Sequence, residues 1–381
     1  MNMEINKLFL KIISINSENP PGRENWLAEF IAKFLKSRGF KIIEQKINNE
    51  RKNIIACSGK PQETFLIFNS HLDTVPIGDS KSWRYNPLGE IKDEKIYGRG
   101  ACDVKGSMSA LIMAAIKAKK EGCKNFALLF TADEESGNFL GAKKFAKNLR
   151  KNFPNLKLLI ITEPTNLRIG IAHKGVIYMK LSFKGKGAHG STPNKGKNAI
   201  YSSLKAIAGI LDYQNSRSLI RSQLLGNPTL NIGKINGGTK VNIVPNYCQV
   251  ELETRVLPNE RNDQIIKKIR SITKSCGGNT EIVCSFSAFF QENNYLVKKI
   301  EGVWKKLNFN SKFIGLNYYT EAEIYKRETG IDCLIFGAGN QKQMHCVDEF
   351  INIQDLRSAE KIYLEIILCL QGDTLEAPKN D

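Results

Sequence analysis

F-L-I-F-N-S-H-L-D (65–73) is the stretch from which the rest of the chain can be read. Phe65 to Phe68 is an apolar run too short for a helix and apolar on both faces, which predicts a strand buried on both sides. It runs straight into Ser70-His71-Leu72-Asp73. An imidazole and a carboxylate therefore stand at a strand's carboxyl end, where open α/β sheets bind their ligands. The pattern recurs. Phe126 to Phe130 leads into Thr131-Ala132-Asp133-Glu134-Glu135, and Leu156 to Ile161 leads into Thr162-Glu163-Pro164. Ile331 to Phe336 continues through Gly337-Ala338-Gly339 into a loop carrying His345. Helix-forming stretches separate the strands: Val104 to Glu121, closed by Gly122, then Asn138 to Arg150, and finally Asp355 to Leu370. Strands alternating with helices predict an α/β domain.

The middle of the chain follows another pattern. From Ile177 the residues alternate, with Ile177, Met179, Leu181 and Phe183 on one face and Tyr178, Lys180, Ser182 and Lys184 on the other. This is the period of a half-buried strand. A helix over Asn198 to Tyr213, a strand over Thr229 to Ile235, a Gly237-Gly238 turn and a strand over Gln249 to Val256 follow. A helix over Asp263 to Ser275 and a strand over Glu281 to Phe286 complete a βαββαβ order, the ferredoxin-like unit. The expected organisation is one α/β domain (1–174 and 289–381) interrupted by an α+β insert (175–288).

The chain has 381 residues, 41% hydrophobic and 25% charged, which excludes a disordered or collagen-like protein. The net charge of +18 raises nucleic-acid binding as a reading. The basic residues, however, are scattered doublets such as Lys119-Lys120 and Lys267-Lys268, with no block of five, so no nucleic-acid partner is expected. No apolar run reaches the ~18 residues of a membrane helix. The segment Lys7 to Ile13 is interrupted by Lys11 and lacks a small-residue cleavage site, so neither a signal peptide nor a membrane partner is expected. Nine cysteines without a C-x-x-C pair fit buried thiols in a reducing, cytoplasmic setting.

Each strand-end acid has a bland reading when taken alone. Asp103, delivered by the turn Gly98-Arg99-Gly100-Ala101-Cys102, suits a helix N-cap, and Glu134-Glu135 suits a charged loop. Together they converge on one sheet edge and stack like charges, which costs heavily unless a cation neutralises them. Two imidazoles with three carboxylates suit Zn²⁺ or Co²⁺, and the surplus carboxylate suggests two ions sharing a bridge.

The segments S-H-L-D-T-V-P (70–76), Y-G-R-G-A-C-D-V-K-G (97–106), T-A-D-E-E-S-G (131–137), T-E-P-T (162–165) and M-H-C-V-D-E (344–349) resemble the M20 metallopeptidase family. The branch they resemble is that of acetylornithine deacetylase and succinyl-diaminopimelate desuccinylase. The resemblance implies a zinc-aminopeptidase-like catalytic domain with an inserted lid and dimerisation domain, and two divalent metal ions. It assigns His71 and Glu163 to one metal, Glu135 and His345 to the other, and Asp103 to the bridge. Asp73 becomes the carboxylate fixing the His71 tautomer, and Glu134 the general base that activates a water. His189, in Lys186-Gly187-Ala188-His189-Gly190-Ser191, would polarise the scissile carbonyl across a homodimer interface, with Asn242 a second contact from the partner. The alternating strand from Ile177 is expected to offer the pairing edge.

Arg255 and Lys174 are candidates for the substrate carboxylate. His173 reads as structural. The segment Asn317-Tyr318-Tyr319-Thr320-Glu321-Ala322 resembles the deacetylase pattern, so Thr320 and Glu321 are expected at the substrate, with Glu321 receiving an ammonium group. The expected activity is amide hydrolysis on an N-acyl amino acid, first N-acetylornithine. Alternatives are succinyl-diaminopimelate, a broader aminoacylase or dipeptidase, and an inactive binding relative. Cys102 and Cys346 depart from the family pattern and read as buried spectators or as points of oxidation sensitivity.

Overall fold

The protein is described by a computed structural model covering residues 2–371. It divides into two compact units. One comprises the chain up to Ile171, Gln291–Ile314 and the chain from Thr320 onward; the other comprises Ala172–Phe290 and Gly315–Tyr319. The expected boundaries did not include Gly315–Tyr319. That segment belongs with the insert because Lys174 N–H donates to the Leu316 carbonyl at 3.1 Å and Gly315 lies against Leu224 and Leu225.

The strands that position the site are β1 (Lys41–Lys46), β2 (Lys52–Cys57), β3 (Leu66–His71), β4 (Phe126–Thr131), β5 (Leu158–Ile161), β6 (Gly175–Lys184), β7 (Thr229–Gly237), β8 (Tyr247–Val256), β9 (Gly278–Phe286) and β10 (Asp332–Ile335). In the first unit the order is β1-β2-β4-β3-β5-β10. β3, β4, β5 and β10 run parallel, while β1 and β2 form an antiparallel hairpin on the β4 side. Every residue of β3, β4 and β5 is buried, as their unbroken apolar runs predict. Parallel register brings their carboxyl ends level: His71 pairs with Thr131, Asn69 with Ile161, and Ile161 with Ile335.

The sheet is backed by the helices Gly106–Lys120 and Ile353–Cys369. A run of edge-on rings, Phe68–Tyr363–Phe336–Trp304, with centroids 5.5, 4.9 and 4.7 Å apart, fastens the closing helix to it. Each such pair adds about 0.5–1.5 kcal/mol beyond the area it buries.

The insert has the sheet order β7-β8-β6-β9, antiparallel throughout, with helices Ala199–Arg217 and Asn262–Ser275. This is the ferredoxin-like arrangement. Ile177, Met179, Leu181 and Phe183 form its core with residues of β8 and both helices, as the alternation predicts. The Asn198 side chain caps the first helix by accepting from Ile200 N–H and Tyr201 N–H. One expectation fails: β6 is not an edge. It lies between β8 and β9, since its buried alternate residues take the sheet centre, and the exposed edge on one side is β7. Among the described residues no helix is long and apolar enough to cross a membrane.

Candidate metal centre

The strand ends in the catalytic unit place the histidines and acids together. His71 closes β3, Glu134 and Glu135 follow β4, and Glu163 follows β5. Asp103 sits in a tight turn, Ala101–Lys105, entered through Gly100 at φ +84°. The turn is gathered by one buried carboxylate. Glu349 accepts from Gly100 N–H (3.1 Å), Cys102 N–H (2.8 Å) and Asp103 N–H (3.1 Å), and pairs with Arg99 Nη1 at 2.6 Å. His345 arrives on the loop after β10, at φ +61°.

The Asp103 carboxylate divides the cluster. Its Oδ1 lies 3.1 Å from His71 Nε2, which is 3.6 Å from Glu163 Oε1. Its Oδ2 lies 3.3 Å from His345 Nε2, which is 3.2 Å from Glu135 Oε2. Donor atoms of His71, Asp103 and Glu135 all fall within 4.8 Å of one another. Donors about 2.0–2.1 Å from a tetrahedral zinc stand about 3.3 Å apart, so both halves have the spacing of a metal's ligand shell.

The electrostatics agree. Burial pushes Glu163 and Glu134 well above the carboxylate range and also raises Glu135. Burial opposes ionisation of Asp103 too, but the hydrogen bonds from His345 and His71 hold it low. Asp103 and Glu135 raise the His345 imidazole to about 10. Burial disfavours a charged His71, yet Asp103 and Glu163 overcome it and lift the ring well above its ordinary value. Protons are being drawn in to balance negative charge, the task a divalent cation performs better. The residues present fit a metal pair.

Several expectations need correction. Asp73 does not hold the His71 ring through its carboxylate. His71 Nδ1 faces the Asp73 carbonyl at 2.9 Å, while the carboxylate stands 3.8 Å away. Its oxygens accept instead from Glu134 N–H (3.1 Å), Glu135 N–H (3.0 Å) and Asn19 Nδ2 (2.8 Å). β3 ends at His71, so strand alternation no longer governs Asp73.

Thr320 is fully buried and its hydroxyl accepts from Ala322 N–H. Glu321, 1% exposed, is bound into the floor: Asn69 Nδ2 and Thr131 Oγ1 both donate to its Oε2. It is thus buried and not the exposed acid the sequence suggested; its Oε1 has no hydrogen-bond partner among the described residues, and burial raises the group to about 7. Cys102 is buried with its Sγ 3.3 Å from the Asn340 carbonyl, and burial pushes the thiol well up, so it is the inert spectator and not an oxidisable thiolate. Cys346 is exposed. The Glu134 carboxylate has no hydrogen bond or ion pair among the described residues.

The remaining candidates lie in the insert. His189 is exposed, its Nδ1 engaged by Ser191 Oγ (2.7 Å) and Ser191 N–H (3.2 Å). Asn242 is its neighbour on that surface, with Gly190 N–H donating to the Asn242 carbonyl at 2.8 Å. Arg255 and Lys174 stand near enough that, after burial, Arg255 is the second cause lowering the Lys174 ammonium. Arg255 Nη2 meets Glu253 at 3.2 Å and Lys174 Nζ donates to the Asn227 carbonyl at 2.8 Å. His173, buried against Phe289 and Tyr319, is structural as expected. Sequence reasoning passed over Asn19, Arg51 and Asn53, although the N-P-P-G run at 19–22 is a recognisable turn signal.

A parallel sheet presenting a paired His–carboxylate centre, with a ferredoxin-like insert in the same chain, defines a metal-dependent hydrolase that acts on amide bonds. Residues 67–368 match the profile of peptidase family M20/M25/M40, and the chain belongs to that family. A succinyl-diaminopimelate desuccinylase of Pelagibacter ubique is 31% identical over 362 residues, covering 89% of this chain and 92% of the relative. A "Probable carboxypeptidase" of Aspergillus flavus is 29% identical over 378 residues, covering 93% and 85%. The M20 family metallo-carboxypeptidase Sso-CP2 of Sulfolobus solfataricus superposes with a TM-score of 0.84 at 19% identity, over 97% of this chain and 99% of that one.

Proposed function

We propose that this protein is a dinuclear amidohydrolase that releases an amino acid from its N-acyl or N-peptidyl derivative. The observation that carries the reading is the division of Asp103, one oxygen toward His71 and Glu163, the other toward His345 and Glu135. Zinc or cobalt ions held by these two sets would polarise the amide carbonyl and bring water toward ionisation near neutral pH. Glu134, adjacent to a ligand and with no hydrogen bond to its carboxylate among the described residues, takes the proton from the attacking water and returns it to the departing amine nitrogen. Asp73 holds the Glu134–Glu135 backbone at the sheet edge.

Arg255 and Lys174 are two neighbouring cations, and a substrate carboxylate would relieve their mutual repulsion. His189 and Asn242, side by side on an exposed face of the insert, are read as groups offered to the second subunit of a homodimer, where the imidazole polarises the scissile carbonyl. Leu204 and Tyr201, exposed on the first helix of the insert, and the free β7 edge support such pairing.

N-acetylornithine remains the first compound to try on motif resemblance, but the burial of Glu321 removes its ammonium argument. The desuccinylase and carboxypeptidase relatives make succinyl-diaminopimelate and dipeptides equal members of the panel. The test is amine release from these compounds by zinc- or cobalt-loaded protein, with and without chelator. Chelator-sensitive turnover of any of them supports the reading. No turnover across the panel, in protein shown to carry metal, points to a binding relative.

A further inference from the structure

Glu134 stands on the loop between β4 and the helix Leu140–Asn152, and the chain holds that loop in an unusual way. Asp133, immediately before it, has φ +69°, a left-handed conformation that aspartate adopts more readily than most residues because its short side chain can be anchored nearby. Here that side chain is anchored. Asp133 Oδ1 accepts from Arg51 Nη1 and, at 3.0 Å, from Asn19 Nδ2.

Arg51 is itself locked in place. Nη2 donates to Asn19 Oδ1 (3.0 Å) and Pro21 O (3.4 Å), and Nε faces Glu24 at 3.4 Å. Gly22, at φ +97°, lies beneath the guanidinium, and a Cβ there would sit 2.1 Å from Nη2. Asn53, in β2 two residues on, grips both ends of the loop. Its Oδ1 accepts from Ala132 N–H (3.1 Å) and its Nδ2 donates to Gly141 O (2.9 Å).

We infer that Arg51 is a positioning residue for Glu134: through Asp133 and the Asn19–Glu24 turn it sets the direction in which Glu134 leaves the sheet edge. The inference rests on Glu134 as general base. It assigns the Arg51-Lys52-Asn53 segment a part in the reaction, although none of its side chains is a ligand or a base. The fork matters as well as the charge, because one guanidinium serves Asp133, Asn19 and Glu24 at once.

The experiment uses full-length, metal-loaded Arg51→Ala, Arg51→Lys and Glu134→Ala proteins on the best substrate of the panel, with metal content measured alongside kcat and KM. A loop displaced by an ångström predicts a fall in kcat of about 10²-fold for Arg51→Ala, with KM and metal content held. Arg51→Lys should recover only part of the loss. Millimolar guanidinium should restore activity to Arg51→Ala, and sodium chloride at equal ionic strength should not, a response a merely structural role would not give. If Arg51→Ala does not fold, Asp133→Ala, which removes the oxygen that Arg51 and Asn19 both donate to, should show the same kcat loss at unchanged KM.

Wild-type kcat in folded Arg51→Ala or Asp133→Ala overturns the inference, as does a kcat loss in Arg51→Ala that tracks metal loss or ignores guanidinium. Full activity in Glu134→Ala would instead remove the base assignment, and this inference with it. An inactive Glu134→Ala beside a fully active Arg51→Ala removes this inference alone.

Discussion

Asp73→Asn separates two roles for one carboxylate. In the structure it accepts three hydrogen bonds, from Glu134 N–H, Glu135 N–H and Asn19 Nδ2, and none from the His71 ring. An asparagine has one oxygen for two acceptor positions. Its better orientation keeps Glu135 N–H and Asn19 and turns an amide N–H₂ toward Glu134 N–H, so one donor goes unmet at about 1–3 kcal/mol. The two bonds kept lose their charge assistance, about 1 kcal/mol each. Removing a negative charge beside Asp133 and Glu24 offsets part of this, leaving a net loss of about 2–4 kcal/mol. Denaturant unfolding of the metal-free protein should show that loss. With metal restored, kcat should fall as the Glu134–Glu135 turn relaxes, while chelator competition shows metal affinity little changed. The opposite pattern, full stability and full kcat at saturating metal with affinity lowered about 10–100-fold, is what a carboxylate supporting the His71 ring would give, and it would refute the loop role.

Glu134→Ala should retain two metals per chain and lose turnover by orders of magnitude, whereas His71→Ala should lose metal as well; elemental analysis beside kcat tells them apart. Glu24, its side chain fully buried, is raised by burial and by Asp73 from an ordinary 4.5 to about 7. The native state thus keeps a proton that the unfolded chain gives up, so the associated stability is full below about 4.5 and lost as pH rises to about 7. Glu24→Gln should accordingly raise the unfolding free energy above pH 7 and not near pH 4.5, by at most about 3 kcal/mol; a mutant-minus-wild-type difference that stays constant at all pH would contradict this. His189→Ala should lower kcat far more than it raises KM, and sedimentation should show a dimer in both proteins.

The parts of the fold carried by periodicity were the legible ones. Unbroken apolar runs marked β3, β4 and β5, and alternation marked β6 with its buried face. The metal cluster was legible because strand ends in a parallel sheet meet at one edge whatever their order in the chain. What escaped depends on where a strand stops or which polar group is covered. Asp73 lies two residues after His71, but the strand has ended, so the carbonyl and not the carboxylate meets the ring. Glu321, directly before the helix Ala322–Thr329, reads as an exposed N-terminal acid until Asn69 and Thr131 are seen to cover it. β1 has no clean period, its residues being half-buried or exposed without alternation, so its hairpin with β2 was not legible and nothing announced Arg51 and Asn53.

Because the catalytic unit is interrupted, its assembly is tied to the direction of synthesis. The 182 residues added after Glu163, up to and including His345, take a ribosome adding about 5–20 residues per second roughly 10–40 s to translate. Throughout that interval β5 lacks its neighbour β10, and Asp103 lacks both His345 and the Glu349 that gathers its turn. The core of the insert does not wait that long, although the Gly315–Tyr319 segment joins it later. The buried residues of its main core lie between Ile177 and Ile269, so it can close while the unit around it is still half-made. The main core of the insert can therefore form while the candidate metal cluster still lacks His345.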